Sequence, residues 1–251
     1  MIRKIRRFIK IGIKQNKSLP PGSSYGVVSE IINKLKGIPA NQPFFLYAHF
    51  MDTHLPYQPD KKFLKKILGC NRNEKIKNII KNPLLKDGLI HVRYNLGLEP
   101  LNEEELKLFN IAYDASLCEL DDAIRNLIEY LARKKLLNSS LIIITSDHGE
   151  NIDDHGLMDH QLCLYDTLLK VPLIIIGPGF PQGKRYTKQI QLHQIYHTII
   201  RAVHAEWKVK NFSHTLSLQE MIKIKMDSYS HLPNMEDQIK LKTHIPDILL
   251  I

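Results

Sequence analysis

Three short apolar runs punctuate this chain, and histidine and aspartate stand next to each of them. The runs are residues 43–50 (PFFLYAHF), 141–144 (LIII) and 171–176 (VPLIII). Short apolar runs bounded by polar and turn residues predict strands that are buried on both faces, as in a parallel sheet, and the run at 141–144 is also rich in β-branched residues. Together with helical segments between them, they predict an α/β fold with a mainly parallel sheet flanked by helices.

A long helix is predicted between the first and second runs. Asn102 can cap its start while Glu105 reaches back to the cap, which is the capping-box pattern. Apolar residues then recur at helical spacing and predict a buried stripe: Leu106, Phe109, Tyr113, Leu117, Leu120, Ile124, Leu127 and Leu131.

Polar chemistry follows or precedes the predicted strands. Asp147 and His148 end the second run, His54 comes shortly after the first, and His160 precedes the third. Ligands of open α/β sheets bind beyond the carboxyl ends of the strands, so we expect these four side chains to converge on one pocket. Asp147 and His148 offer a metal ion one oxygen and one nitrogen. The alternative interpretation is that these residues form no functional site. In that case Asp147 and His148 lie in a polar turn after a strand, and His54 is hydrogen-bonded to the backbone.

Three blocks resemble sulfatases, which are members of the alkaline phosphatase superfamily. They are PFFLYAHFMDTHLPY, SLIIITSDHGE and HGLMDHQLCLYDTLLKVPLIIIGPG, and their order and spacing match the central and C-terminal parts of that family. The resemblance covers roughly residues 20–205. It implies an alkaline-phosphatase-like fold that hydrolyses an anionic sulfuric ester with a divalent cation. Calcium is the implied ion, and manganese or magnesium are alternatives.

The same resemblance assigns roles to single residues. Asp147 and His148 correspond to the C-terminal pair of metal ligands. His54 corresponds to the histidine that contacts the sulfate and assists the reacting group. His160 corresponds to a residue that contacts a sulfate oxygen and supports the leaving group. Glu150 and His155 remain open between support of these ligands and a solvated loop.

Other parts of the sulfatase pattern are missing from these residues. Sulfatases carry a Cys or Ser in a Cys/Ser-x-Pro/Ala-x-Arg context, which is modified to the formylglycine nucleophile. None of the three cysteines and no serine fits that context. The family's acidic metal ligands precede its nucleophile, whereas the first acidic residue here is Glu30. We therefore expect an N-terminally truncated sulfatase that is inactive alone, with a complementing N-terminal polypeptide as a candidate partner.

Two other functions remain open at this point. The retained half of the site suits a phosphoester or phosphonate-ester hydrolase of the same superfamily equally well. A non-catalytic remnant that at most binds an anion is the alternative outside enzymes. Nucleic-acid binding is not expected, because aromatic residues are not interleaved with the lysine-rich runs and no binding motif is present.

Charge and composition complete the sequence-based predictions. The net charge of +9 favours anionic partners. Residues 1–19 are a basic lead-in, 60–99 are a basic insertion in the domain at 20–205, and 206–251 are weakly defined. No run is long enough for a transmembrane segment, and no signal peptide is evident, which predicts a cytoplasmic location.

Overall fold

A computed structural model describes residues 23–39, 42–69, 73–203, 217–218, 220–221 and 247–250. Its helices are α1 (Ser24–Lys36), α2 (Lys61–Leu68), α3 (Asn73–Lys81), α4 (Ile90–Asn95), α5 (Glu103–Arg133), α6 (Asp166–Leu169) and α7 (His193–Ala202). Its strands are β1 (Phe45–Tyr47), β2 (Ser140–Thr145), β3 (Asn151–Asp154), β4 (Leu157–Asp159), β5 (Leu173–Ile176) and β6 (Asp247–Leu250). The basic lead-in at 1–19 lies outside the described residues, as does most of 206–246.

The main sheet is mixed. Its strand order is β1-β6-β2-β5, in which β6 is parallel to both β1 and β2, whereas β5 is antiparallel to β2. Strands β3 and β4 form a separate antiparallel pair. The α/β class is therefore found, but the prediction of a mainly parallel sheet is not confirmed.

Strand β6 lies in the middle of the main sheet, although its residues belong to a segment that the sequence leaves weakly defined. Leu249 pairs with Leu46 on one side and with Ile142 on the other. Because β1, β6 and β2 are parallel, their carboxyl ends lie at one edge of the sheet. The segments with His54 and Asp147 both leave the sheet from that edge.

Burial confirms the second predicted strand and corrects the third. Leu141, Ile142 and Ile143 of β2 are fully buried, because helices cover both faces of this part of the sheet. In β5, by contrast, Ile174 and Ile176 are 51% and 44% exposed. The prediction of burial on both faces is wrong for β5, because an antiparallel edge strand is covered on one face only.

Helix α5 begins as predicted and packs differently. The capping box between Asn102 and Glu105 is present. Leu117 of the predicted stripe is 48% exposed, however, because small residues instead face the helices α1 and α2 that pack against α5. Small side chains let helix axes approach closely, and the buried ones are Ala112, Ala115, Ser116 and Ala123.

The basic insertion at 60–99 contributes half of a hydrophobic core. Phe63, Leu64, Ile76 and Ile90 are buried against α5 and against Met158 of β4, while the lysines lie outside. Asn95 on α4 donates from its side-chain amide to the Met158 carbonyl and accepts from the Met158 N–H. The insertion thus holds β4, which leads to His160. None of the helices in the described ranges is long and apolar enough to cross a membrane.

Candidate active site

The loop after β2 presents Asp147 and His148 at the edge of the sheet. The His148 Nδ1–H donates to the Gly149 carbonyl at 2.8 Å, because a carbonyl can only accept. The proton on Nδ1 leaves Nε2 with its lone pair. That Nε2 lies 3.7 Å from Asp147 Oδ1, and the Asp147 side chain is 72% exposed. The Ser146 hydroxyl, donating to the His148 carbonyl at 2.6 Å, stiffens the loop.

His54 stands in a turn after β1 and uses one ring nitrogen on the backbone. Its Nδ1–H donates to the Leu55 carbonyl at 2.6 Å, and its own N–H donates to the Met51 carbonyl at 3.1 Å. The backbone hydrogen bond considered as an alternative role is therefore present. It does not remove His54 from chemistry, because it leaves the Nε2 lone pair free for another group.

His160 joins these two parts of the site. Its ring stacks on His148 with 4.0 Å between ring centroids, and it meets His54 edge-on at 5.1 Å. The loops after β1, β2 and β4 thus bring His54, His148 and His160 together, with Asp147 beside His148. The expected convergence is found in the fold, whereas the roles given to the four residues stay predictions.

His160 also belongs to a cluster with two buried acidic residues, Glu150 and Asp159. The ligand atoms of the three residues lie within 4.8 Å of one another. The side chains of Glu150 and Asp159 are 7% and 3% exposed. Asp159 Oδ1 contacts His160 Nδ1, and Oδ2 lies 3.2 Å from His91 Nε2. Asp159 also has a left-handed backbone with φ of 70°, which aspartate tolerates better than most residues.

Burial shifts the pKa values of this cluster. Burial, with added repulsion from Asp159, raises the pKa of Glu150 to about 8, and the Tyr57 hydroxyl opposes part of that rise. Burial also raises the pKa of the Tyr57 phenol, and the Glu150 charge raises it further. The pKa of His160 is lowered, mainly by burial, although the Asp159 carboxylate pulls it upward. Glu150 and His160 are therefore both disposed to be neutral near neutral pH.

Sequence reasoning missed three members of this arrangement. Asp159 and Tyr57 stand within the three sulfatase-like blocks. Their only sequence signal is that they lie close along the chain to His160 and to His54. His91 lies on α4, and no signal in the sequence sets it apart. Of the two residues left open, Glu150 is in the cluster. His155 is an exposed turn residue stacked on Tyr165, which agrees with a solvated loop.

The Asp147–His148 pair fits a divalent cation in part. Two ligands about 2.2 Å from one ion are roughly 3.1–3.6 Å apart, close to the observed 3.7 Å between Oδ1 and Nε2. The imidazole nitrogen suits a borderline ion better than calcium, which prefers oxygen ligands. Two ligands fill less than half of a six-coordinate shell, so other groups must complete it.

Comparison with known proteins indicates the family of this chain. The family model described as "Sulfatase" matches residues 15–205. The chain is 29% identical to a choline-sulfatase of Rhizobium meliloti (strain 1021) over 152 residues, 59% of this chain and 29% of that protein. It is 28% identical to human iduronate 2-sulfatase, covering 64% of this chain and 31% of that protein.

A third relative, an arylsulfatase of Clostridium perfringens (strain 13 / Type A), is 26% identical over 78% of this chain and 41% of its own length. The chain therefore spans less than half the length of each of these relatives. Among solved structures, Ps i-CgsB in complex with k-i-k-neocarrahexaose superposes with a TM-score of 0.53 at 18% identity. That match covers 81% of this chain and 38% of the other. A putative sulfatase from Bacteroides thetaiotaomicron gives 0.51 at 14% identity, covering 84% and 49%.

Proposed function

Because the chain belongs to the sulfatase family, we propose that these 251 residues form one half of an active site that hydrolyses sulfuric esters with a divalent cation. The observation that supports this most directly is the meeting of His54, His148 and His160 at the edge of the sheet, with Asp147 beside them. Three histidines with an exposed carboxylate offer a concentrated set of ligands and donors for an anionic ester.

Asp147 and His148 are the proposed cation ligands. The bond from His148 Nδ1–H to the Gly149 carbonyl fixes the tautomer that keeps a lone pair on Nε2. Exposure of Asp147 keeps its carboxylate open to an ion and to substrate. A bound cation would supply positive charge to the ester oxygens. Calcium is the ion that the family resemblance implies.

His54 and His160 are the proposed substrate-binding and catalytic histidines. His54 offers Nε2 to the reacting group, because its Nδ1 is held by the Leu55 carbonyl. The lowered pKa of His160 makes its ring mostly neutral, so it would act on an ester oxygen by hydrogen bonding rather than by full charge. The buried Asp159 carboxylate contacts Nδ1 of His160 and restricts the orientation of its ring.

The 251 residues hold no Cys/Ser-x-Pro/Ala-x-Arg sequence, and we propose that residues outside them supply the nucleophile. A complementing N-terminal polypeptide is the proposed source, together with the remaining cation ligands. We expect the purified 251-residue chain not to turn over an aryl sulfate above background. The nucleophile and the remaining cation ligands act together with the histidines, and these groups are not among the 251 residues.

An aryl sulfate assay tests this expectation, with an aryl phosphate assayed in parallel to test the phosphoester alternative. Turnover of the sulfate that disappears in both His54→Ala and Asp147→Ala would refute the proposed inactivity and require another nucleophile. Turnover of the phosphate alone, with the same loss, would replace the sulfatase proposal. No turnover, combined with the cation binding below, supports the half-site.

Cation binding tests the ligand pair itself. We expect weak Ca²⁺ binding that is lost in Asp147→Ala. His148→Asn should raise the Ca²⁺ affinity by at least about threefold, because an amide oxygen replaces an imidazole nitrogen. Isothermal titration of the folded variants measures both. Equal Ca²⁺ affinity in the wild type and in Asp147→Ala would contradict the assignment.

A further inference from the structure

We propose that Glu150, Asp159 and His160 form a second cation site, distinct from the Asp147–His148 pair, that binds a borderline divalent ion such as Zn²⁺. The site lies below the histidines, between the loop after β2 and the end of β4. Glu150 immediately precedes β3, and Asp159 and His160 lie at the end of β4, which pairs with β3 and so brings the three residues together. The second site depends on these side chains alone and is independent of the proposed function.

Two buried atoms in this cluster have no partner in hydrogen-bond geometry among the described residues, although the Tyr57 hydroxyl interacts with the Glu150 carboxyl. They are Glu150 Oε1 and His160 Nδ1, which lie 3.8 Å apart. His160 Nδ1 also contacts Asp159 Oδ1, but without hydrogen-bond geometry. The Glu150 side chain is more than nine-tenths buried, so water is a poor substitute partner. Buried polar atoms in folded proteins normally have a partner, and a bound cation would provide one for both atoms at once.

The charge of the cluster calls for a cation. Within the described part of the chain, neither Glu150 nor Asp159 forms an ion pair with lysine or arginine; their titratable basic neighbours are His91 and His160. Two carboxylates within one buried cluster repel each other, and burial raises the cost of each charge. A divalent ion between them would neutralise both and would use the two unpartnered atoms as ligands.

The distances and ligand types favour zinc-like ions. Two ligands about 2.1 Å from a tetrahedral ion are roughly 3.4 Å apart, so 3.8 Å between Glu150 Oε1 and His160 Nδ1 requires only a small adjustment. One imidazole and two carboxylates are a ligand set used by zinc, manganese and iron, and a poor one for calcium. His91, 3.2 Å from Asp159 Oδ2, would orient that ligand from behind.

An ion on Nδ1 would also decide the tautomer of His160. The ring proton would then reside on Nε2, and His160 would be a hydrogen-bond donor on the side of His54 and His148. This consequence, unlike the site itself, rests on the proposed function, because it concerns the ester oxygen that His160 is proposed to contact.

The test uses the full chain in an Asp147→Ala background, which removes the first ligand pair. We expect Zn²⁺ alone to bind this variant at about pH 8, where the ligands can lose their protons. Adding Glu150→Gln should lower the Zn²⁺ affinity at least about 100-fold, since it replaces a direct ligand. Adding Glu129→Gln, an exposed glutamate on α5, should leave the affinity unchanged. Isothermal titration gives the affinities, and visible absorption of bound Co²⁺ reports coordination.

Thermal unfolding separates lost binding from lost structure. Without metal, Glu150→Gln should unfold at a temperature no lower than its parent, because glutamine keeps the shape of the side chain and cannot ionise in the buried cluster. Zn²⁺ should raise the unfolding temperature of the Asp147→Ala chain and of its Glu129→Gln derivative, but not of its Glu150→Gln derivative. A folded Asp147→Ala chain that does not bind Zn²⁺, or equal binding with and without Glu150, would overturn the proposal. Neither result depends on turnover.

Discussion

At the scale of single residues, backbone carbonyls select the chemistry of the histidines. His54 and His148 each donate from Nδ1 to a carbonyl one residue ahead, at 2.6 Å and 2.8 Å. Each therefore keeps Nε2 for a ligand or a proton. His160 has no such carbonyl among its described partners and instead contacts Asp159. The histidines therefore fall into two groups. In His54 and His148 a backbone carbonyl accepts from Nδ1, whereas in His160 a carboxylate contacts Nδ1.

Asp52, near His54 along the chain, provides a pH-dependent test of the fold. Burial raises the pKa of its carboxyl, although hydrogen bonds from Ser24 oppose the rise. A raised pKa means that ionising Asp52 costs the folded state stability. That stability is complete below the ordinary aspartate pKa, about 3.9, and is lost as the pH rises through the folded pKa. The Ser24 N–H donates to Oδ1 at 3.0 Å, an acceptor that asparagine retains.

We therefore expect Asp52→Asn to gain stability relative to the wild type as the pH rises from about 4. The gain should be at most about 1.4 kcal/mol per pH unit, the limit for one proton. Urea unfolding at a series of pH values measures it. Asp114→Asn, which changes an exposed carboxylate on α5, is the control. A difference between Asp52→Asn and wild type that does not vary with pH would contradict the expectation.

At the scale of elements, the site depends on a close approach between the loop after β2 and α6. The Gly149 N–H donates to the Leu168 carbonyl at 2.8 Å. A Cβ on Gly149 would lie 1.9 Å from the Thr167 carbonyl oxygen, which is backbone and cannot rotate away. Glycine is needed here for space, and it allows α6 to fix the loop that carries Asp147 and His148.

Gly149→Ala should destabilise the protein by about 3 kcal/mol, because the backbone of α6 or of the loop must shift. Gly37→Ala is the matched control: its Cβ would meet only the Lys34 carbonyl oxygen, at 3.5 Å, and should change the stability by about 0.5 kcal/mol or less. Thermal unfolding of the two variants compares them. Equal stability would show that the loop and α6 are not packed as described.

The elements also show why periodicity predicted α5 well and its packing less well. The capping box is a local pattern, so Asn102 and Glu105 were sufficient to predict it. Which face is buried depends on partners distant in the chain. Leu117 fits the apolar spacing and is exposed, whereas Ala112 and Ser116 are buried where other helices approach. Side-chain size determines which face of α5 packs against the other helices, and the spacing of apolar residues along the chain does not predict it.

At the scale of the whole molecule, β6 connects β1 to the rest of the main sheet. It pairs on both sides, with β1 and with β2, so without it the two strands would each have an unpaired edge. β1 and β2 lead to His54 and to Asp147, and their spacing is therefore set by a strand from the far end of the chain. Stability of the sheet and assembly of the site are coupled through β6.

Removal of residues 247–251 should lower the free energy of unfolding by about 4 kcal/mol or more and promote aggregation, since two inner edges lose their hydrogen-bond partners. Removal of residue 251 alone retains every pair that β6 makes and is the control. Thermal unfolding and light scattering measure the two effects. A five-residue deletion as stable and as monodisperse as the control would show that β6 does not hold the sheet.

The sequence alone determined those features that reside in neighbouring residues. The apolar run at 141–144 predicted a buried strand, the blocks around His54, Asp147 and His160 indicated the family, and Asn102 with Glu105 predicted the start of a helix. Such signals can be read from the sequence because capping, backbone conformation and apolar patterning depend on residues that are close together along the chain.

Only the tertiary structure decided which distant residues meet. It placed β6 between β1 and β2, made β5 antiparallel, and exposed Leu117. It also brought His91 from the basic insertion against Asp159 and buried Glu150 beside His160. These outcomes depend on packing and on shared burial between segments far apart in sequence, and the physical cost of burying two carboxylates becomes visible only when both are found in one place.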